Sequence, residues 1–154
     1  MLVSLRLQNI ALLESLELTF DRGLTVLTGE TGAGKSILLD ALDALFGGNQ
    51  STSLARLLRS GSDQGHIEAS FLTNPELEVW LKREGFESED QELFLARELR
   101  LKGDRLINRC RLNGVLINRN QLLALRPFLI DLTIQGQTLQ MVSPSSQLHW
   151  LDRL

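Results

Sequence analysis

The feature that most constrains this chain is the segment GETGAGKS, which fits the pattern G-x-x-x-x-G-K-[ST]. Glycines let the backbone curl until several N–H groups point at one anion, and the helix that follows adds the positive end of its dipole. In this chemistry the lysine binds the β- and γ-phosphates and the serine hydroxyl binds Mg²⁺. The pattern therefore predicts a nucleoside triphosphate site formed by Gly29, Glu30, Thr31, Gly32, Ala33, Gly34, Lys35 and Ser36.

The sequence on either side of this loop indicates an α/β fold. Residues 24–28, LTVLT, form a mostly apolar run that favours a strand covered on both faces. Residues 36–46, SILLDALDALF, favour a helix packed between layers, which Gly47 and Gly48 end. We expect Asp43 on this helix to fill a polar gap or to contact a missing part of the fold.

Alternating and capping patterns predict the remaining elements. Residues 3–7 and 16–20 alternate as an antiparallel strand pair, and residues 67–71 alternate as another strand. Asn74-Pro75 starts a helix that Gly85 ends, and Asn113-Gly114 turns a hairpin. Asn118, with Gln121 three places on, caps a further helix. We expect a strand over residues 128–134 and a last helix from Ser143-Pro144 to the end.

Composition excludes several classes of function. The 154 residues carry a formal charge of −3, so bulk positive charge does not bind this chain to nucleic acid. The single cysteine, Cys110, excludes an internal disulfide and a multi-cysteine zinc site. The two histidines, His66 and His149, are too few for a His-rich metal centre. We expect these three residues to be structural. The sequence shows neither a long apolar segment nor a signal peptide, so we expect a soluble cytoplasmic setting without membrane contact.

The order of two strands and then the phosphate loop is typical of ATP-binding-cassette heads, and the Asn-Lys-x-Asp run of GTPases is not present. The opening LQNIALLESLELTFDRGLTVLTGETGAGKSILLDAL resembles the amino-terminal start of the RecN family of bacterial DNA repair proteins, relatives of the SMC proteins. The resemblance implies an α/β P-loop NTPase fold: the N-terminal lobe of an ABC/SMC-type ATPase head, with a mixed sheet and an antiparallel β layer.

The resemblance also implies partners and a role. Residues 1–142 would form an N-terminal ATPase half-head, with the phosphate loop at 29–36, and residues 143–154 would start a coiled-coil helix. A C-terminal half-head of the same protein would complete the ATPase, and ATP with Mg²⁺ would be held between two heads of a homodimer. The full-length protein would act on DNA in double-strand break repair and recombination, in the bacterial cytoplasm at the nucleoid.

A Q-loop is implied near residues 135–137. Gln137 is the candidate for a glutamine that binds Mg²⁺ or holds the attacking water, and Gln135 competes for that role. The family usually has His-Gly-Gln-His, whereas this chain has Gln135 and Thr138 in place of the histidines.

Two other functions remain open at this stage. Residues 128–131, FLID, resemble a Walker B strand, so Asp131 could hold Mg²⁺ in a self-sufficient small ATPase or kinase. The chain could also be a non-catalytic interaction fragment. Against a self-sufficient enzyme, the sequence contains no Leu-Ser-Gly-Gly signature run.

A basic segment stands out in this acidic chain. Arg105, Arg109 and Arg111 are two or four residues apart, which places them on one face of a strand, and Arg97, Arg100 and Lys102 are near in sequence. This face is a candidate DNA contact. The alternative is a solvated hairpin face in which Glu98 and Asp104 pair with the arginines.

Overall fold

The structure is a computed structural model that describes residues 1–29, 34–48, 51–88 and 90–130. It contains six strands and four helices within these ranges. The strands are β1 (Leu2–Ile10), β2 (Leu13–Thr19), β3 (Gln64–Leu72), β4 (Glu92–Lys102), β5 (Arg105–Leu112) and β6 (Val115–Leu116). The helices are α1 (Lys35–Leu45), α2 (Ser51–Leu57), α3 (Pro75–Glu84) and α4 (Arg119–Leu129).

The six strands form one sheet in the order β2-β1-β3-β4-β5-β6. Every pairing between these strands is antiparallel. The predicted opening pair is confirmed, with Leu5 opposite Leu18. The predicted turn between β5 and β6 is confirmed as well, since Asn113 and Gly114 both have positive φ, 47° and 82°. Such a turn matches the twist of the strands that it joins.

The two faces of the sheet differ because side chains alternate along each strand. The inner face is apolar and packs against the helices in one core, to which Leu7 of β1, Ile67 of β3 and Leu95 of β4 contribute. The rings of Phe46, just after α1, and Phe71 on β3 meet edge to face at 5.7 Å. The outer face carries mostly polar and charged side chains, which leaves it open to solvent.

Local capping sets the starts of α3 and α4 as the sequence predicts. The side-chain oxygen of Asn74 accepts a hydrogen bond from the Leu77 amide at 2.8 Å, and Gly85 ends α3 in a left-handed conformation. Asn118 and Gln121 form a reciprocal capping box at the start of α4. These interactions satisfy amides that the first turn of a helix leaves without a partner.

The strand predicted at residues 24–28 is not formed. These residues have no regular secondary structure and do not pair with the sheet, and Leu24 and Val26 are 90% and 68% exposed. An apolar run becomes a buried strand only where neighbouring strands hydrogen-bond to it and layers cover it. The described residues supply neither, so the parallel part of the expected mixed sheet is not formed among them.

The strand predicted over residues 128–134 is also not formed at its first two residues. Phe128 and Leu129 belong to the last turn of α4. The buried residues Leu122, Leu125 and Leu129 recur at helical spacing, so they continue the helix into the apolar run. The predictions for Asp131, Gln135, Gln137, His149 and the helix from Ser143 concern residues 131–154, which lie outside the described residues.

One close approach of backbones yields a stability prediction. A Cβ added at Gly65 on β3 would lie 2.9 Å from the carbonyl oxygen of Asn9 and 2.9 Å from Cδ2 of Leu58. Gly65→Ala should therefore lower the free energy of unfolding by about 2 kcal/mol, as overpacking does. Urea unfolding measures this change, with Ser62→Ala on the nearby loop as the control. Equal stability of the two variants would contradict the prediction.

Candidate nucleotide-binding site

Helix α1 begins at Lys35 of the predicted phosphate loop. Gly34 precedes it in a left-handed conformation, with φ 90° and ψ 0°, and none of the side chains that the structure describes caps this end of the helix. The first turn contains no acidic residue. The amides and the positive dipole end of α1 therefore have no competing carboxylate within that turn, which favours an anion there.

The lysine of the motif contacts the first glycine of the motif. The Lys35 ammonium group donates a hydrogen bond to the carbonyl oxygen of Gly29, which brings the two ends of the motif together. Ser36 is exposed in the first turn of α1, so its hydroxyl is accessible to a cation. The structure describes Gly29, Gly34, Lys35 and Ser36, and the predicted ligands at residues 30–33 lie outside the described residues.

The C-terminal end of α1 contacts α4 through an ion pair. Arg126 donates a hydrogen bond through Nη1 to Oδ1 of Asp43 at 3.0 Å, and their side chains are 24% and 10% exposed. A methyl group at Gly48 would overlap the Asp43 carboxylate, so the backbone after α1 packs directly on this acid. Asp43 thus fills a polar gap within this chain, which was one of its two expected roles.

The basic segment divides between the two faces of the sheet. Arg105, Arg109 and Arg111 lie on the outer face, as predicted from their spacing. Arg97 instead lies on the inner face with 4% exposure, and its Nε donates a hydrogen bond to Sγ of the buried Cys110 at 2.9 Å. No described residue accepts a hydrogen bond from Nη1 of Arg97. Arg97 is therefore not part of the basic surface.

Carboxylates on the outer face neutralise part of the arginine charge. Glu98 on β4 is opposite Arg109 in the strand register, and its Oε2 lies 3.7 Å from Nη1 of Arg111. The expected pairing of Glu98 with this face is therefore present. His66 is opposite Glu98 on the other side, on β3. Among the described residues no three His, Cys, Asp or Glu side chains come together as metal ligands.

Comparisons with known proteins define the class of the chain. The sequence profile of the AAA domain matches residues 4–105, which is more than half of the chain, so the chain belongs to the AAA domain family. An SMC ATPase structure has the same fold, with a TM-score of 0.67, 20% identity and coverage of 98% of this chain and 97% of the other. The recombination mediator RecF with ATP gives a TM-score of 0.64 at 16% identity, covering 99% and 38%. The fold is thus the N-terminal lobe of a P-loop ATPase head.

A longer relative is similar over nearly the whole chain. The DNA repair protein RecN of Synechocystis sp. is 51% identical over 153 residues, which cover 99% of this chain and 26% of the relative. The resemblance to the RecN family is therefore confirmed. The chain spans about a quarter of the length of this relative.

In the ranges that the structure describes, no helix has both the length and the apolar character needed to cross a bilayer.

Proposed function

We propose that the chain is the ATP-binding N-terminal portion of an SMC-like ATPase that acts in DNA double-strand break repair and recombination. The observation that carries this proposal is the phosphate-loop motif at the start of α1, where Lys35 and Gly29 lie in contact. The RecN relative is described as a DNA repair protein, and the SMC structure as one of ATP-driven dimerization. Both descriptions agree with the proposal.

In the proposed site each residue has a distinct role. The loop amides of residues 29–36 would bind the phosphates, and Lys35 would neutralise charge on the β- and γ-phosphates. The Ser36 hydroxyl binds Mg²⁺, a cation that prefers oxygen ligands. Gln137 would bind Mg²⁺ or orient the attacking water, with Gln135 as the competing residue.

A second half-head is proposed as the partner that completes the fold. The exposed apolar run at Leu24–Leu27 supports this, because its side chains and backbone lack neighbours within the described sheet. Strands from a C-terminal half of the same protein would cover this run. A second head would then enclose ATP in a homodimer whose closure follows nucleotide binding and whose opening follows hydrolysis.

The self-sufficient ATPase alternative loses support in the structure. A Walker B acid follows a buried strand, but Phe128 and Leu129, which precede Asp131 by three and two residues, are helical. We therefore assign no metal-binding role to Asp131. An interaction fragment without catalysis would share the exposed run at Leu24–Leu27, and nucleotide binding separates it from the proposed ATPase portion.

DNA is proposed as a partner of the full-length assembly. The three arginines on the outer face of β5, Arg105, Arg109 and Arg111, would contact backbone phosphates. Their side chains face away from the core, on a face that the described helices do not cover.

Hydrolysis tests the proposed division of the ATPase into two halves. The isolated chain should turn over ATP far more slowly than about 1 s⁻¹, the lower end of typical enzyme rates, because the signature motif and catalytic acid would come from elsewhere. A steady-state phosphate-release assay measures this rate beside that of the full-length protein. Turnover of the isolated chain at about 1 s⁻¹ or more would refute the proposal that the site is shared.

A further inference from the structure

We infer that the outer face of β4 and β5 binds single-stranded nucleic acid, with Phe94 as a stacking platform for one unpaired base. This inference rests on the DNA-binding part of the proposed function and adds the residue and the class of nucleic acid. Phe94 is 44% exposed, although it is a large aromatic side chain on a largely polar face. A planar ring exposed beside arginines matches the way proteins hold single strands.

The position of Phe94 follows from the strand register. Phe94 and Ala96 follow each other on the outer face of β4, and Ala96 is opposite Arg111 of β5. Phe94 therefore lies one step along the sheet from that arginine. Its backbone is held in place, because the Phe94 amide donates a hydrogen bond to Oδ1 of Asn113 at 2.7 Å and its carbonyl accepts one from the Asn113 amide at 2.8 Å. The ring is thus presented from a rigid strand.

The charge of this surface is opposite in sign to that of the chain. The whole chain carries −3. The outer face of these two strands has five cations and two carboxylates. The cations are Arg100, Lys102, Arg105, Arg109 and Arg111, and the carboxylates are Glu92 and Glu98. Phosphates would be attracted to this face by local charge, which the net charge of the chain does not reveal.

The outer face of β4 and β5 also contains a hollow. It has a volume of about 380 Å³ and is lined by the cations Arg100, Lys102 and Arg109, together with Asp63 and Glu98. Arg100 is opposite Ile107 and Lys102 is opposite Arg105, so the hollow continues the row of cations away from Phe94. Along β4, the surface from Phe94 to Lys102 is about 26 Å long at the rise of a strand. This length suits the smallest known binding sites for single strands.

The ring decides between a single strand and a duplex. Arginines and lysines contact phosphates of either form, so charge does not discriminate. In a duplex the faces of the bases are stacked on one another, whereas an unpaired base can lie flat on a phenyl ring. An exposed phenyl ring in line with the phosphate-binding cations therefore favours a single strand.

The test uses this chain and a fluorescent dT oligonucleotide of about 12 nucleotides, within the range of known site sizes, beside a duplex of the same length. Fluorescence anisotropy gives both affinities. Phe94→Ala should weaken dT binding by about 5- to 100-fold, as loss of one stacked base does, and should change duplex binding by less than about twofold. Phe94→Trp should keep dT affinity, while Phe94→Leu should weaken dT binding as much as Phe94→Ala does. Val79→Ala, at an exposed apolar position on α3, is the control.

The charges are tested in the same assay. Arg109→Glu should weaken binding and reduce the salt slope of log affinity by at least about 0.7, the value for one phosphate contact on a single strand. Arg83→Glu on α3 is the matched control, since that side chain is 70% exposed outside this surface. Thermal unfolding confirms that each variant is folded, as expected for changes at exposed positions.

Three results would overturn the inference: no dT binding by the unmodified chain, tighter binding of duplex than of dT, or equal dT affinity of the Phe94→Ala, Phe94→Leu and unmodified chains. The test of the single-strand site does not depend on the proposed nucleotide site. Lys35→Ala should keep its dT affinity, and Phe94→Ala should keep its ATP affinity. Failure of the single-strand site is therefore distinguishable from failure of the proposed ATP-binding function.

Discussion

Lys35→Ala is expected to reduce the affinity for Mg-ATP by about 100-fold, or about 3 kcal/mol. The ammonium group would make charge-assisted hydrogen bonds to two phosphate groups, and alanine removes both the charge and the donors. The first turn of α1 contains no other cation that could replace it. Titration calorimetry on the full-length protein, with the isolated chain beside it, measures the change.

The control for this variant is Lys82→Ala. Lys82 is an exposed lysine in the last turn of α3, so its loss changes the net charge equally without touching the phosphate loop. Its ATP affinity should stay within about twofold of the unmodified protein, because a distant exposed charge is screened by salt. If Lys35→Ala also stayed within that range while remaining folded, the nucleotide site would not be where we place it.

Asp43→Ala is expected to lower the free energy of unfolding by about 3 kcal/mol, which is about 9 °C in melting temperature for a domain of this size. The substitution leaves the Arg126 guanidinium without its carboxylate in a site where the side chain is only 24% exposed. Removing one member of a buried ion pair is costly because the remaining charge stays desolvated. Asp43→Asn should have a smaller effect, since the amide oxygen still accepts a hydrogen bond.

An exposed ion pair in the same chain provides the comparison. Arg59 and Glu14 approach to 3.8 Å, but their side chains are 40% and 80% exposed. Glu14→Ala should change stability by less than about 0.5 kcal/mol, as surface pairs usually do. Calorimetric melting of the three variants measures the difference. A loss for Asp43→Ala no larger than that for Glu14→Ala would show that the Asp43–Arg126 pair does not hold α1 to α4.

The inward position of Arg97 could have been read from the sequence. It stands in the alternation of Leu93, Leu95 and Leu99, which all belong to the core, so the period of two places it on the apolar face. Its positive charge alone would instead favour a surface position. Local periodicity was in this instance a better guide than residue type.

The pairing of Asp43 with Arg126 had no comparable signal. The two residues are 83 positions apart, and either side chain could have faced solvent on its own helix. Their contact depends on the packing of α4 near the end of α1 and on the absence of a side chain at Gly48. Such a contact follows from helix packing, which no local pattern encodes.

The sequence by itself determined those parts whose physics is local. The side chains of Asn74 and Asn118 start their helices, and Asn113-Gly114 turns the β5–β6 hairpin. The phosphate loop, predicted from its glycines and the order of its residues, stays a prediction. Each of these depends on interactions within a few residues.

The tertiary structure decided what depends on partners distant in the chain. Residues 24–28 are apolar enough for a strand, yet they form none where no described strand pairs with them. The exposure of Phe94 and the gathering of five cations on one face likewise required the register between β4 and β5. A strand or a surface is the joint property of segments far apart in sequence, so only their assembly reveals it.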